Sequence, residues 1–400
     1  MSALALAAFL FLSHNGRAVF PIGSYELPKD DAGLRAMAEA GINLVRCRNR
    51  ADLDRAAAAG IQGWMVLPLH LGIEDGKLGR LIESVKDHPA LAVWEGPDEI
   101  VWNFTAYSGL HRSGVYPSPD EWWRQSPLAV AHAEREAARI MPKLRAGIQL
   151  VRQKDPRRRP VWINEASRSD LKYIRQYSDL IDITGCDLYP IHAATRLPVS
   201  IADLTDRYRR VGPGLAVWMV LQGFAWGQLA GREERVTYPA LEESRLMAWA
   251  AITHGARGVL YWGMDAAPPS EVFRESLYAV TAELSALQPF LVAPEARGVK
   301  VDVIDSEDFD KPRRGVSWIC RRTGPDWMVV LVNEDDRPHM GVAVSGLPEG
   351  ARLEQLYGGE WVSVVRGEFV TRMKPHEVKV FATGRRWEKI RPAGRVFVMP

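Results

Sequence analysis

Short apolar runs of strand length alternate with amphipathic stretches of helical period along the first two thirds of the chain. The runs Phe20–Tyr25, Ile42–Cys47, Gly63–Leu69, Leu91–Trp94, Val161–Asn164, Ile181–Cys186, Ala216–Leu221 and Gly258–Trp262 read as eight strands. Between them Asp31–Ala40, Leu53–Ala59, Leu128–Gln153, Ser169–Ser178, Ile201–Val211 and Leu241–His254 carry helical patterning. Repeated βα units of this kind build a parallel sheet covered by helices, and eight of them predict an α/β fold of the (β/α)8 (TIM) barrel type over residues 17–292. From Arg297 the period changes to two. The segments Val316–Cys320, Trp327–Val332, Gly341–Val344, Arg352–Leu356, Trp361–Val365 and Glu377–Phe381 predict a small antiparallel β-sandwich over residues 297–384.

The ends of the chain read differently. The apolar run Ala3–Leu12 fits either the remnant of a signal peptide or the lead into a hairpin turning at Ser13-His14-Asn15-Gly16, so residues 1–16 are assigned to one of the two, and compartment is left open. Residues 385–400 form a basic tail with five cations against Glu388.

Composition narrows the function classes. A chain of 400 residues with 47% hydrophobic and 25% charged residues has ample material for a core, which excludes a disordered protein or a minimal binding module. The formal net charge is only +2, and without the tail the chain is weakly acidic, so no nucleic-acid-binding face is expected. The uncharged stretch Val211–Gly231 is interrupted by Pro213 and several glycines, which argues against a membrane span. The three cysteines Cys47, Cys186 and Cys320 lie far apart, and the nine histidines include no HxH pair. No metal or cofactor is expected.

In a (β/α)8 barrel the active site is built from residues just after each strand. Here those residues are rich in carboxylates and aromatic rings: Glu26 after the first strand, Arg46 at the second, His70 after the third, and Trp94-Glu95-Gly96-Pro97-Asp98-Glu99 at the fourth. Asn164-Glu165 follows the fifth, Asp187-Leu188-Tyr189-Pro190 the sixth, Gln222 and Trp226 the seventh, and Trp262 and Asp265 the eighth. Paired carboxylates with flat apolar rings suit acid/base chemistry on a sugar. Glu99, flanked by Trp94, Pro97, Ile100 and Trp102, has the setting of a carboxyl whose charged form is disfavoured. Glu95 is one alternation out of phase with it and is expected to be structural.

The stretches His88-Pro89-Ala90-Leu91-Ala92-Val93-Trp94 leading to Asp98-Glu99, Asp182-Ile183-Thr184-Gly185-Cys186-Asp187-Leu188-Tyr189-Pro190, and His254-Gly255-Ala256-Arg257-Gly258-Val259-Leu260-Tyr261-Trp262 resemble the clan-A glycoside hydrolases. That resemblance implies a barrel hydrolase acting on a carbohydrate, with Glu99 as the acid/base glutamate after strand four. It also implies a nucleophilic glutamate after strand seven, where this chain has Gln222. An amide cannot be that nucleophile. The second carboxylate is therefore expected among the other rim acids: Asp187 first, because its strand neighbours that of Gln222 and Tyr189 follows it, then Glu165. The alternatives for these two are a loop-satisfied aspartate and an ion pair of Glu165 with Arg46, Arg48 or Arg168.

Gln222, Tyr189, Trp94, Trp102, Trp226, Trp262, Arg46, His70, Glu26 and Asp265 are the expected substrate contacts. The aromatic excursion Asn103–Ser126 is expected to add subsites, being too long for an ordinary βα loop of about 2–6 residues. The competing reading is a carbohydrate-binding barrel that has lost turnover.

Overall fold

A computed structural model describes residues 11–107, 109–229, 235–265, 270–305 and 314–388. Eight parallel strands close into a barrel: Ile22–Ser24, Leu44–Cys47, Gln62–Val66, Leu91–Glu95, Val161–Ala166, Ile183–Asp187, Ala216–Gln222 and Gly258–Trp262. All eight coincide with runs read from the sequence. The last strand pairs with the first through Val259–Tyr261 against Ile22–Ser24, which completes the ring.

The N-terminal end of the barrel is plugged by a hairpin of Leu12–His14 and Arg17–Val19, turning at Asn15 and Gly16, both at positive φ. Leu12 packs in the barrel interior with Leu44, Ile183 and Ala216, and the Gln62 side chain donates to the Ser13 carbonyl at 3.2 Å. Above this plug, Trp64, Trp162 and Trp218 point inward and fill the ring, with Trp162 to Trp218 centroids 5.2 Å apart. Gly258 leaves room for the Trp218 indole, and Gly185 lets its strand approach the Trp218 backbone. A Cβ on Gly185 would come within 1.8 Å of the Trp218 carbonyl oxygen.

The C-terminal unit is a sandwich of a three-stranded sheet, ordered Lys300–Val303, His339–Ser345, Glu368–Met373, and a five-stranded sheet, ordered Val316–Thr323, Asp326–Asn333, Val378–Ala382, Arg352–Gln355, Trp361–Ser363. Two of these strands, Lys300–Val303 and Glu368–Met373, escaped the sequence reading. Both are edge strands of the smaller sheet, where half of each strand faces solvent.

The second strand of that sheet, Asp326–Asn333, is nearly all apolar because the five-stranded sheet is covered on both faces. Val329 and Leu331 face the smaller sheet, whereas Met328, Val330 and Val332 join the core shared with the barrel helices. Polar ties fix the junction. Arg245 pairs with Glu283 and donates to the Val378 carbonyl at 2.7 Å, and His254 bridges Asp206 at 3.0 Å and Glu334 at 2.7 Å. Among the described residues no helix is long and apolar enough to cross a membrane.

Candidate active site

The aromatic layer lies beneath the carboxyl groups at the C-terminal ends of the strands. Tyr25 stands edge-on to Trp64 and Trp162, with centroids 5.4 Å and 6.0 Å away. Directly above, the buried Glu95 accepts from Trp64 Nε1 at 2.9 Å, Arg46 Nε at 3.0 Å and Tyr25 Oη at 3.4 Å. Burial, opposed by Arg46 and aided by the charge of Asp98, pushes the Glu95 carboxyl up to about 7.

The inward aim of Glu95 reverses the expected phase, and a β-bulge is the reason. Gly63 pairs with Leu91 but Trp64 pairs with Val93, so Ala92 is an extra residue that inverts the alternation beyond it. Trp94 consequently points away from the mouth, fully buried against the long helix Pro127–Lys154, and its Nε1 donates to Asp155 at 2.8 Å. It is no substrate contact. Arg159 completes that outer network by bonding Asp155 and the Leu91 and His88 carbonyls, which explains the His88–Trp94 motif as a structural lock.

Strand four leads into Asp98 and Glu99. Glu99 has φ 50° and ψ 41°, a left-handed conformation that costs a β-carbon-bearing residue roughly 1–3 kcal/mol and is found where a side chain must be presented. The backbone is held there by Glu99 N–H donating to the Asn164 carbonyl at 3.0 Å. Asn164 Nδ2 donates to Asp98 at 2.9 Å, and Arg46 lies 3.9 Å from the same carboxylate. Asn164 Oδ1 and Trp162 Nε1, on inward positions of strand five, are buried with no partner among the described residues.

Asp187, at the inward end of strand six, neighbours Glu99 closely enough for each to shift the other's protonation, and its Oδ1 is buried with no partner among the described residues. Arg46 serves Glu95 and Asp98, and it is not among the groups that set the protonation of Glu99 and Asp187. Burial and the charge of Asp98 push Glu99 up to about 7, with a smaller contribution from Glu165. Burial, then Glu99, then Asp98 push Asp187 well above the usual aspartate range. Two carboxyls so placed hold one proton between them, and they titrate as a pair.

Glu165 does not join them. It faces outward from strand five, fully buried, and accepts from the Val101 amide at 3.2 Å, Ser169 Oγ at 2.7 Å and Tyr177 Oη at 2.8 Å. The ion pair with an arginine is not formed either. Three donors converge on this carboxylate and anchor the start of the helix Ile100–Thr105, immediately beyond Glu99.

Gln222 occupies the inward end of strand seven but is sealed off. Its Oε1 accepts from Ile191 N–H at 2.9 Å, and its Nε2 donates to the Ile191 carbonyl at 2.9 Å and the Phe224 carbonyl at 3.0 Å. It is completely buried beneath the loop that follows strand six, so it positions that loop rather than touching a ligand.

The remaining expectations divide. Tyr189 stacks on Trp262 at 5.4 Å and 27° and senses the charges of Asp187, Asp98 and Glu99, which places its ring in the mouth. Trp226 donates to the Tyr189 carbonyl at 3.1 Å and stacks on His192 at 4.8 Å, forming one wall with Phe224. Trp102 pairs with Trp123 on the segment after strand four, 6.1 Å between centroids.

Three others lie off the site. His70 is half-buried beside the long helix, where burial and Arg139 lower its pKa. Glu26 accepts from the Gly263 amide at 2.8 Å and the Met264 amide at 3.1 Å, so it pins the loop after strand eight. Asp265 is exposed on that loop. Among the described residues no cluster of His, Cys, Asp or Glu has the arrangement of a metal site.

No protein-family model matches the sequence, and no curated protein matches it. Solved structures do match across nearly the whole chain. A glycoside hydrolase family 5 protein from Bacteroides vulgatus is 14% identical over 96% of this chain and 94% of its own, with a TM-score of 0.56. A family 42 β-galactosidase from G. stearothermophilus is 12% identical over 93% and 99%, with a TM-score of 0.56. An α-amylase from Geobacillus thermoleovorans is 10% identical over 92% and 99%, with a TM-score of 0.53. The barrel and sandwich of this protein thus share their fold with these glycoside-cleaving proteins.

Proposed function

We propose that the protein is a glycoside hydrolase that cleaves a glycosidic bond in an oligo- or polysaccharide, with Glu99 as proton donor and Asp187 as the second carboxylate. The observation that carries this reading is the Glu99–Asp187 proximity at the barrel mouth, two carboxyls of raised pKa over an aromatic layer. A pair that keeps one proton near neutral pH has both an acid and an anion ready.

In the reaction the Glu99 proton passes to the departing glycosidic oxygen as the bond from that oxygen to the anomeric carbon breaks. Anionic Asp187 stabilises the positive charge that builds on the sugar. Water supplies the new oxygen. Attacking directly, it gives its proton to Asp187. Where a covalent ester to Asp187 forms first, water attacks that ester, gives its proton to the Glu99 carboxylate left by the first step, and Asp187 departs as the anion. Asn164 and Arg46 hold Asp98 beside the pair, where its charge keeps their shared proton in place.

The sealed amide of Gln222 favours a second reading, a sugar-binding barrel without turnover, because it stands where the resemblance expects a nucleophile. Release of reducing ends from a panel of neutral glycans, measured for the wild type, Glu99→Gln and Asp187→Asn, separates the two. Hydrolysis lost in both variants supports the enzyme. Saturable binding in calorimetry with no release by the wild type supports the binding protein.

A further inference from the structure

The excursion after strand four has an organisation that the carboxyl pair does not require. Trp122 is buried against Tyr173, 6.3 Å between centroids, and Phe104 packs on the same ring at 5.4 Å. Tyr116 stands edge-on to His132 of the long helix at 5.5 Å. These anchors fix the excursion on the barrel. The residue next to the buried Trp122 is Trp123, which is 46% exposed.

Trp123 pairs with the half-buried Trp102, at an interplanar angle of 41°, and the Arg168 guanidinium from the loop after strand five lies 5.5 Å from its centroid. Trp102 is three residues beyond Glu99, on the short helix Ile100–Thr105 that begins immediately after it. The rings thus begin three residues from the proton donor on the segment after strand four, whereas Tyr189, Trp226 and Trp262 stand at the ends of strands six, seven and eight. Anchoring one indole to display its neighbour gives a preformed apolar surface with one guanidinium, that of Arg168, over the displayed ring, a form suited to a flat, hydroxylated ligand.

We infer that Trp102, Trp123 and Arg168 form a leaving-group subsite, which holds the part of the substrate that departs with the Glu99 proton. The inference rests on the proposed hydrolysis for its direction, since a proton donor stands on the side of the group it releases. The ligand chemistry is an uncharged ring with an apolar face, supplied either by the next sugar of a chain or by an aromatic aglycone. Tyr189, Trp226 and Trp262 then face the sugar that is retained, and the mouth takes a chain across it rather than only its end.

The test compares the wild type with Trp123→Ala and Trp123→Phe on neutral oligosaccharides of two to six units and on nitrophenyl monoglycosides. Loss of one aromatic stacking surface is expected to lower kcat/KM on the longer oligosaccharides about tenfold, mainly through KM, and phenylalanine should recover most of it. A loss confined to oligosaccharides assigns the subsite to a sugar, and an equal loss on nitrophenyl glycosides assigns it to an aryl group. Unchanged kcat/KM on every substrate overturns the inference.

If the wild type hydrolyses nothing, calorimetry with the same oligosaccharides replaces the rates. A tenfold weaker Kd in Trp123→Ala then supports the subsite while the hydrolytic reading fails, and equal Kd values overturn both. Melting temperatures within a degree of the wild type, expected for a side chain so exposed, exclude misfolding as the cause.

Discussion

Gln222 and Ile191 clasp each other through two hydrogen bonds, amide oxygen to backbone N–H and amide nitrogen to backbone carbonyl, each 2.9 Å. This geometry requires a side chain that both accepts and donates. A glutamate fails in either protonation state. Ionised, it would face the carbonyls of Ile191 and Phe224 from a completely buried position, and protonated it would have one hydrogen for two acceptors.

Gln222→Glu is therefore expected to lower stability by about 1–3 kcal/mol or more and to add no hydrolysis. Thermal unfolding and rate measurements on one preparation check this. A variant as stable as the wild type and more active would identify the position as a lapsed nucleophile site.

Glu99 holds a left-handed backbone conformation with φ 50°. Glycine adopts φ near 50° freely, so Glu99→Gly should relieve roughly 1 kcal/mol of strain and remove one carboxyl from a crowded acidic cluster. The expected result is a melting temperature equal to or above that of the wild type, together with lost hydrolysis. A melting temperature several degrees lower would mean that the side chain supports the fold.

Asp98 raises the pKa of both Glu99 and Asp187 through its negative charge. Replacing it with the isosteric asparagine keeps the contact to Asn164 but removes that charge, so both carboxyls should ionise at lower pH. The alkaline limb of kcat/KM, expected near the Glu99 value of about 7, should move to lower pH in Asp98→Asn. A limb that stays in place or moves up would remove Asp98 from the electrostatics of the pair.

The fold was legible because burial dictates it. All eight barrel strands are apolar runs, and the Asn15-Gly16 turn marks the hairpin that plugs them. Glu99 and Asp187 were legible from their positions at strand ends, and the structure brings the two near each other, although the same positional rule failed for Glu165 and Gln222. The sequence alone could not reveal the bulge at Ala92, which sends Trp94 outward and Glu95 inward, since a bulge depends on the register of the neighbouring strand. Nor could it show that Glu165 and Gln222 have their polar atoms satisfied by donors and acceptors far away in the chain, Val101 for one and Ile191 for the other. Asp98 and Asn164 were passed over because their importance lies in the bond between them.

Glu165 offers a direct contrast between a structural and a catalytic carboxylate. Its oxygens receive donors from Val101, Ser169 and Tyr177, so Glu165→Gln would turn an NH2 group toward them and should cost about 1–3 kcal/mol, read as a lower melting temperature. An inactive variant with an unchanged melting temperature would instead make Glu165 the second catalytic carboxylate.

The central claim is that Glu99 delivers a proton to the leaving group, and a leaving-group series in Glu99→Ala tests it most directly. General acid assistance is worth roughly 10²–10⁴ in rate when the departing oxygen is a poor leaving group and little when it is already acidic. The account predicts a loss in that range on unactivated oligosaccharides and a far smaller loss on a dinitrophenyl glycoside. Equal losses on both substrates, or near-normal hydrolysis of the unactivated one, would contradict it.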